Sequence, residues 1–160
     1  VFEYGEPGYY IQLPTDSVII SSIGFTSNDY IQLTGHKYDS SEIYIALFDT
    51  VGGFFNFVLD TLIDLGPEKT IAGQAQRNND GEIFMLYTLN PGTDFSSSYL
   101  LGLDDFGDVF FNIQLVNKEV GVDLNQMHLD IEDDKIFYGG KIQGAVADSN
   151  EYLITYTNVD

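Results

Sequence analysis

The sequence has no cysteine and no tryptophan among its 160 residues. Without cysteine, the chain has neither a disulfide framework nor a thiolate metal site. It also has no apolar stretch of the roughly 18 to 20 residues that a membrane-spanning helix needs. We therefore expect no membrane insertion. Because the chain begins at Val1 without an initiator Met or a basic and apolar leader, we expect a processed product or a piece of a longer protein.

Basic residues are almost as scarce. Six Lys and Arg stand against 25 Asp and Glu, which gives a net charge of −19. A surface of this charge repels phosphate backbones, so we expect no nucleic-acid partner. The acidity has two remaining explanations, solubility and cation binding, and the second is considered below.

The residues that are abundant favour strands. Hydrophobic residues make up 44% of the chain and aromatic residues 14%, all of them Tyr or Phe. Together with many Val and Ile, these are the residues that β-sheets prefer. The length fits a single domain with a substantial core.

Two sequence features repeat with nearly the same period. Apolar segments that begin at Tyr44, Tyr99 and Tyr152 are spaced by 55 and 53 residues. Segments that begin at Tyr30, Ile83 and Ile136 are spaced by 53 and 53 residues. A shared period in two independent features indicates three structural repeats.

Each repeat is interpreted as four short strands. The middle repeat would use 54–59, 69–76, a tight turn at the Asn-Asp-Gly of 79–81, the segment 82–89 and the segment 99–104. The first strand of the first repeat would be 9–13, which resembles 110–115. Several strands are apolar at consecutive positions, so both faces of each sheet should be covered. Four-stranded antiparallel units with two buried faces predict an all-β, β-propeller-like fold with approximate blades 5–49, 50–104 and 105–160.

The repeat resembles a propeller blade found in large secreted and cell-surface proteins of bacteria and archaea. That blade runs Asp-Gly-Gly-Tyr-Ile, apolar residues, Gly, a polar link, Asp-x-Tyr-aliphatic-aliphatic-Lys-x-Asp and a glycine turn. The matching residues are Asp29, Tyr30, Ile31, Gly35, Tyr44, Ile45, Asp49 and Gly52 in the first repeat, Asp80, Gly81, Tyr99, Asp104 and Gly107 in the second, and Asp134, Gly139 or Gly140, and Tyr152 in the third. Two positions depart from the family: its Trp after the glycine turn is Phe here, and its Lys is absent. The resemblance implies export to the cell surface or the extracellular space, and no single activity.

Three blades do not complete a propeller, which closes with about four to eight. An open stack of three leaves two apolar faces exposed to water. We therefore expect the partners to be the remaining blades of a longer protein or other protein chains, and a pair of chains would make a six-bladed homo-oligomer.

The candidate metal ligands are two acidic clusters at predicted turns: Asp104, Asp105 and Asp108, and Glu132, Asp133 and Asp134. Hard cations such as calcium take carboxylate and carbonyl oxygens, so calcium is the one cofactor that the sequence suggests. The alternative is that Asp and Glu stand there as ordinary turn residues.

No catalytic constellation is found. His36 and His128 lie on different predicted strands without an Asp or Ser at a characteristic spacing. The recurring residues Asp39, Asp94 and Asp148 are interpreted as turn residues, and Tyr44, Tyr99 and Tyr152 as packing residues. The leading hypothesis is a non-catalytic structural, adhesive or protein-interaction module of an exported assembly. The alternative is a fragment of a propeller enzyme or lectin that acts on extracellular polysaccharide.

Overall fold

The computed structural model describes Leu13 and residues 17–25, 30–49, 56–115, 122–130, 135–143 and 150–158. All regular elements in these ranges are strands. They are β1 (Val18–Phe25), β2 (Ile31–Lys37), β3 (Glu42–Asp49), β4 (Asn56–Asp64), β5 (Thr70–Arg77), β6 (Ile83–Leu89), β7 (Ser97–Leu103), β8 (Val109–Gln114), β9 (Val122–Asp130), β10 (Lys135–Gln143) and β11 (Asn150–Asn158). Within the described part of the chain, no helix is long and apolar enough to cross a membrane.

The strands form three antiparallel sheets in chain order. The first sheet is β1-β2-β3-β4, the second is β5-β6-β7-β8, and the third is β9-β10-β11 among the described residues. Every neighbouring pair is antiparallel. The all-β fold of four-stranded antiparallel units is therefore confirmed.

The turn between β5 and β6 shows why the chain reverses where the sequence predicts. Gly81 has a φ of 94°, a backbone conformation that glycine adopts without steric cost. Asn78 Oδ1 accepts hydrogen bonds from the backbone amides of Asp80 at 3.1 Å and Glu82 at 2.9 Å. These bonds satisfy the turn amides and fix the register Arg77↔Ile83 in the adjoining strands.

The middle strands of the second sheet, β6 and β7, are buried on both faces, whereas its outer strand β8 is mostly exposed. One face of the second sheet, with Ile83, Met85 and Leu101, packs against Ile43 and Ile45 of the first sheet. Its other face packs against the third sheet through the residues Phe84, Leu86, Leu100, Leu124, Met127, Leu129, Ile136 and Tyr138. Consecutive apolar residues therefore serve two cores, as the sequence pattern indicates.

The three sheets approach one another along the edge formed by their first strands. The first strands of the sheets, β1, β5 and β9, lie beside one another, with β5 in contact with both β1 and β9. The outer strands β4 and β8 do not pack closely on each other. First strands that lie side by side are the arrangement of propeller blades around an axis, and we call β1, β5 and β9 the inner strands.

The predicted blade boundaries are wrong by one strand. Segment 54–59 was assigned to the start of the second blade, but β4 pairs with β3 and completes the first sheet. Likewise β8 completes the second sheet instead of opening the third. The described blades are 18–64, 70–114 and 122–158, in place of 5–49, 50–104 and 105–160. The crossing from the first sheet to the second runs through residues 65–69, where Gly66 has a φ of 115°.

The predicted strand 9–13 lies outside the described residues except for its last position. Leu13 packs against the cluster of Tyr44, Ala46 and Phe48 on the face of the first sheet that points away from the second. The middle of that face is therefore buried.

Candidate functional site

Two glutamines of the second sheet hold the backbone of the third. Gln74 Oε1 accepts a hydrogen bond from the Met127 amide at 3.0 Å, and Gln76 Oε1 accepts one from the Leu129 amide. Each donor lies 53 positions after its acceptor. The inner strand β5 thus supplies side-chain acceptors to amides of the inner strand β9.

The third sheet carries two polar side chains at the corresponding places. On β9, Met127 and Leu129 are buried toward the second sheet, so the alternating residues Gln126 and His128 point to the opposite face. Gln126 and His128 are both exposed. They stand 52 positions after Gln74 and Gln76.

The first sheet exposes the complementary positions. Ile23 pairs with Leu33 and Phe25 with Ile31, just as Met127 pairs with Tyr138 and Leu129 with Ile136. In the second sheet, the residue that corresponds to Ile23 is Ala75, which pairs with Met85. Ile23 is 68% exposed and Phe25 is 81% exposed, whereas Ala75, Met127 and Leu129 are 6%, 5% and 9% exposed. The inner strand of the first sheet therefore lacks the cover that a preceding sheet gives to the other two.

A cavity of about 290 Å³ lies between the inner strands. Its walls are Ser22, Ile23, Gly24, Phe25, Gln32, Gln74, Ala75, Gln76, Arg77, His128 and Leu129. Gln32 is 4% exposed, and its Oε1 has no hydrogen-bond partner. Arg77 Nε donates to the Gly81 carbonyl at 2.7 Å, while its buried Nη1 has no partner.

Among the described residues that line this cavity, the polar side chains are neutral or basic. Its lining includes Gln32, Gln74, Gln76, Arg77 and His128, and none of the described residues that line it is Asp or Glu. A pair of carboxyl groups about 5 to 10 Å apart, which glycoside hydrolysis needs, is therefore not formed by the residues that line this cavity.

The acidic cluster at 104–108 forms the turn between β7 and β8. Asp104 Oδ1 accepts hydrogen bonds from the amides of Phe106 at 3.0 Å and Asp108 at 2.8 Å. Gly107 has a φ of 88°, and Asp105 and Asp108 are exposed. The Asp104 carboxylate thus has a structural role in the turn.

The second acidic cluster, Glu132, Asp133 and Asp134, lies outside the described residues. Within the part of the chain that the structure describes, no group of three or more His, Asp or Glu residues lies together in a way that could hold a metal ion. Calcium binding stays a prediction, and its test is given in the Discussion.

The two histidines lie on different sheets. His36 is 8% exposed, and its Nδ1 lies 3.3 Å from Ser21 Oγ. Burial, followed by the positive charge of Lys69, lowers the pKa of His36. His128 is instead exposed at the cavity.

The recurring Asp and Tyr residues have local contacts. Asp39 adopts a φ of 54° and forms an ion pair with Lys69 at 3.0 Å. Tyr44 is fully buried, and the Tyr99 ring stacks on the Tyr87 ring with centroids 5.0 Å apart. Asp94 lies in the turn before β7, while Asp148 and the Tyr152 side chain fall outside the description.

Sequence reasoning missed the glutamine contacts. A signal was present, because Gln74-Ala75-Gln76 and Gln126-Met127-His128 share a polar-apolar-polar spacing one repeat apart. Only the stacking of the sheets shows that these side chains reach a neighbouring backbone.

Comparison with known proteins supports the fold. No protein-family model matches the sequence, and no curated protein matches it at a significant level. Among solved structures, the chain is similar to the α-L-arabinanase of Penicillium chrysogenum, solved with arabinobiose, at a TM-score of 0.50 and 15% sequence identity. The similarity covers 84% of this chain and 42% of the arabinanase chain, so this chain spans less than half the length of that β-propeller. The chain therefore has a β-propeller-like fold of stacked antiparallel sheets.

Proposed function

We propose that the chain is a non-catalytic interaction module of an exported cell-surface or extracellular assembly. Its two end faces are the faces of the first and third sheets that point away from the second sheet. Further sheets cover both end faces in the working protein. The exposure of Ile23 and Phe25 carries this proposal. A preceding sheet buries Ala75 and Met127 at the position of Ile23, and Leu129 at the position of Phe25, while Arg77 is partly buried at the position of Phe25 in the second sheet. The first sheet therefore lacks such a neighbour among the described residues.

The free energy at stake is substantial. Fully burying one Phe or Ile side chain contributes roughly 1.5 to 3 kcal/mol, and Ile23 and Phe25 stand close together on the same strand. Exposed apolar surface that is rimmed by polar residues commonly marks a protein-protein contact. The end faces are thus better suited to a protein partner than to water.

The positions of the acidic residues support a non-catalytic role. Several described carboxylates serve turns and surface pairs: Asp39 pairs with Lys69, Glu42 with Lys37, and Asp104 caps a turn. Asp64 accepts a hydrogen bond from Ser41 at 2.7 Å at the sheet surface. The inner strands, where a propeller enzyme would gather its acids, contribute amides to the cavity instead.

The test uses single cysteines, because the chain has none of its own. Phe25→Cys places a thiol on the end face, and Phe95→Cys places one on an exposed turn, where Phe95 is 84% exposed. An impermeant maleimide applied to intact producing cells should label Phe95→Cys and spare Phe25→Cys until the assembly is dissociated in urea. Equal labelling of the two thiols would disprove the covered end face, and labelling of neither before lysis would disprove export.

A second candidate is a propeller fragment that acts on, or binds, extracellular polysaccharide. It is supported by a fold shared with an arabinanase and by a polar cavity whose Gln32 Oε1 and Arg77 Nη1 have no partner. Arabinan and other plant and bacterial polysaccharides are the probes. Release of reducing sugar would favour an enzyme, and binding that Gln32→Leu abolishes would favour a lectin. Neither response is expected under the leading proposal.

A further inference from the structure

We propose that the outer face of the third sheet binds the outer face of the first sheet of a second copy of this chain, with Gln126 and His128 accepting hydrogen bonds from the backbone amides of Ile23 and Phe25 in that copy. This inference rests on the proposed function, because it names the partner that covers the end faces.

The model for this contact is present inside the chain. At the junction of the second and third sheets, Gln74 and Gln76 accept hydrogen bonds from the amides of Met127 and Leu129. Those two residues are also buried, at 5% and 9% exposure, against the sheet that supplies the glutamines. One junction therefore combines two backbone hydrogen bonds with two buried apolar side chains.

The two components of this junction, side-chain acceptors and backbone amide donors, are also found on the two end faces, where the described residues supply no partner sheet. Gln126 and His128 are exposed on the third sheet, at the places of Gln74 and Gln76. A Gln carbonyl oxygen, or the unprotonated nitrogen of a neutral imidazole, can each accept one amide hydrogen bond. The acceptor half is thus complete.

The donor half lies on β1. Along a strand, the side on which a backbone amide points is set by the face on which its side chain lies. Ile23 and Phe25 lie on the same face and at the same pairing positions of the first sheet as Met127 and Leu129 in the third. Their backbone amides therefore point away from β2, toward the open inner edge. Leu13 covers the middle of this face, which leaves the inner strand as the accessible part.

The two end faces fit each other and do not fit themselves. First sheet against first sheet would bring amide donors to amide donors, and third sheet against third sheet would bring acceptors to acceptors. First against third supplies one acceptor for each donor. Two copies joined in this way at both ends contain six sheets, within the four to eight of closed propellers.

Charge is compatible with this contact at close range. Each copy carries a net charge of −19, which opposes association at a distance, but the residues of the proposed contact, Ile23, Phe25, Gln126 and His128, include no carboxylate. Added salt screens the long-range repulsion, so association should strengthen as ionic strength rises.

The experiment is a complementation test on the purified chain. Phe25→Asp damages the first-sheet face. The double variant Gln126→Lys with His128→Lys damages the third-sheet face, because ammonium groups donate hydrogen bonds and accept none. Phe95→Asp, at a turn, is the matched control, and circular dichroism checks that each variant keeps its strands.

Sedimentation should show a dimer for the unchanged chain and for Phe95→Asp, and a monomer for each face variant alone. Mixing the two face variants should restore a dimer, because each retains the half that the other has lost. A monomeric unchanged chain at its highest soluble concentration, a dimeric Phe25→Asp, or a mixture that stays monomeric would each overturn the inference. If the purified chain is monomeric while Phe25→Cys stays protected on cells, another protein covers the face and the proposed function survives.

Discussion

The side-chain oxygen of Gln74 lies 3.0 Å from the backbone nitrogen of Met127, across the junction between two separate sheets. The bond links side chain to backbone, so it joins sheets that share no strand ladder. Because the two residues are 53 positions apart, the bond also ties one repeat to the next. It holds the second and third sheets together at their inner strands, β5 and β9.

Replacing Gln74 with Met should destabilise the protein by about 1 to 3 kcal/mol, since the Met127 amide would then be partly buried without an acceptor. Met retains the length of the side chain and removes only the polar end. Urea unfolding followed by circular dichroism measures the change. Gln126→Met is the control at concentrations where the chain is monomeric, and an equal loss in both variants would contradict the role of the Gln74 bond.

Two glycines in the first sheet should differ in how much stability an alanine substitution costs. A Cβ at Gly35 would lie 2.2 Å from the Ile19 carbonyl oxygen, whereas a Cβ at Gly24 would meet no atom within 4 Å. The Ile19 oxygen belongs to the backbone and cannot rotate away, so Gly35→Ala should cost about 1 to 3 kcal/mol or more. Gly24→Ala should change stability by less than about 0.5 kcal/mol. Thermal melts compare the two, and similar melting temperatures would refute the clash.

Acidification should destabilise the protein in part through His36. Its pKa is lowered by burial and then by Lys69, so His36 takes up a proton near pH 6.5 in the unfolded chain while it stays neutral in the folded chain. The stability from this group is present above the unfolded pKa and is lost as pH falls from about 6.5 toward the lowered folded pKa. His36→Gln should therefore lose less melting temperature than the unchanged chain between about pH 7.5 and pH 5. Parallel losses would show that His36 does not contribute.

The acidic turn offers a test of calcium binding. Asp104→Ala removes the acceptor of two backbone amides and should destabilise the protein by about 1 kcal/mol, while Asp104→Asn keeps an acceptor oxygen and should cost less. If calcium binds at Asp104, Asp105 and Asp108, millimolar calcium raises the melting temperature of the unchanged chain, and Asp104→Asn reduces that gain because it removes a charge from the ligand set. An unchanged melt in calcium and in a chelator would eliminate the site.

Sequence patterns could not predict the hydrogen bonds between side chains and backbone at the inner strands. Alternation shows that Gln126 and His128 share a face, but a strand pattern is the same whether that face meets water or another sheet. Gln32 illustrates the limit, because it stands among apolar residues and yet lines a polar cavity. Its role depends on Arg77 and other inner-strand residues that are distant along the chain and become neighbours only when the sheets stack.

The sequence alone specified the strand type and the repeat period, because consecutive apolar residues such as 43–48 can be covered on both sides only in a stack of sheets. It did not specify which strands belong to which blade. A periodic pattern has the same period wherever its first unit begins, so segment 54–59 could equally open one blade or close another. The structure decides in favour of closing, because β4 pairs along its length with β3, from Glu42↔Asp64 to Asp49↔Asn56, and the chain crosses to the next sheet only after Asp64. Hydrogen-bonded pairing between strands sets the phase of the repeat, and that pairing exists only in three dimensions.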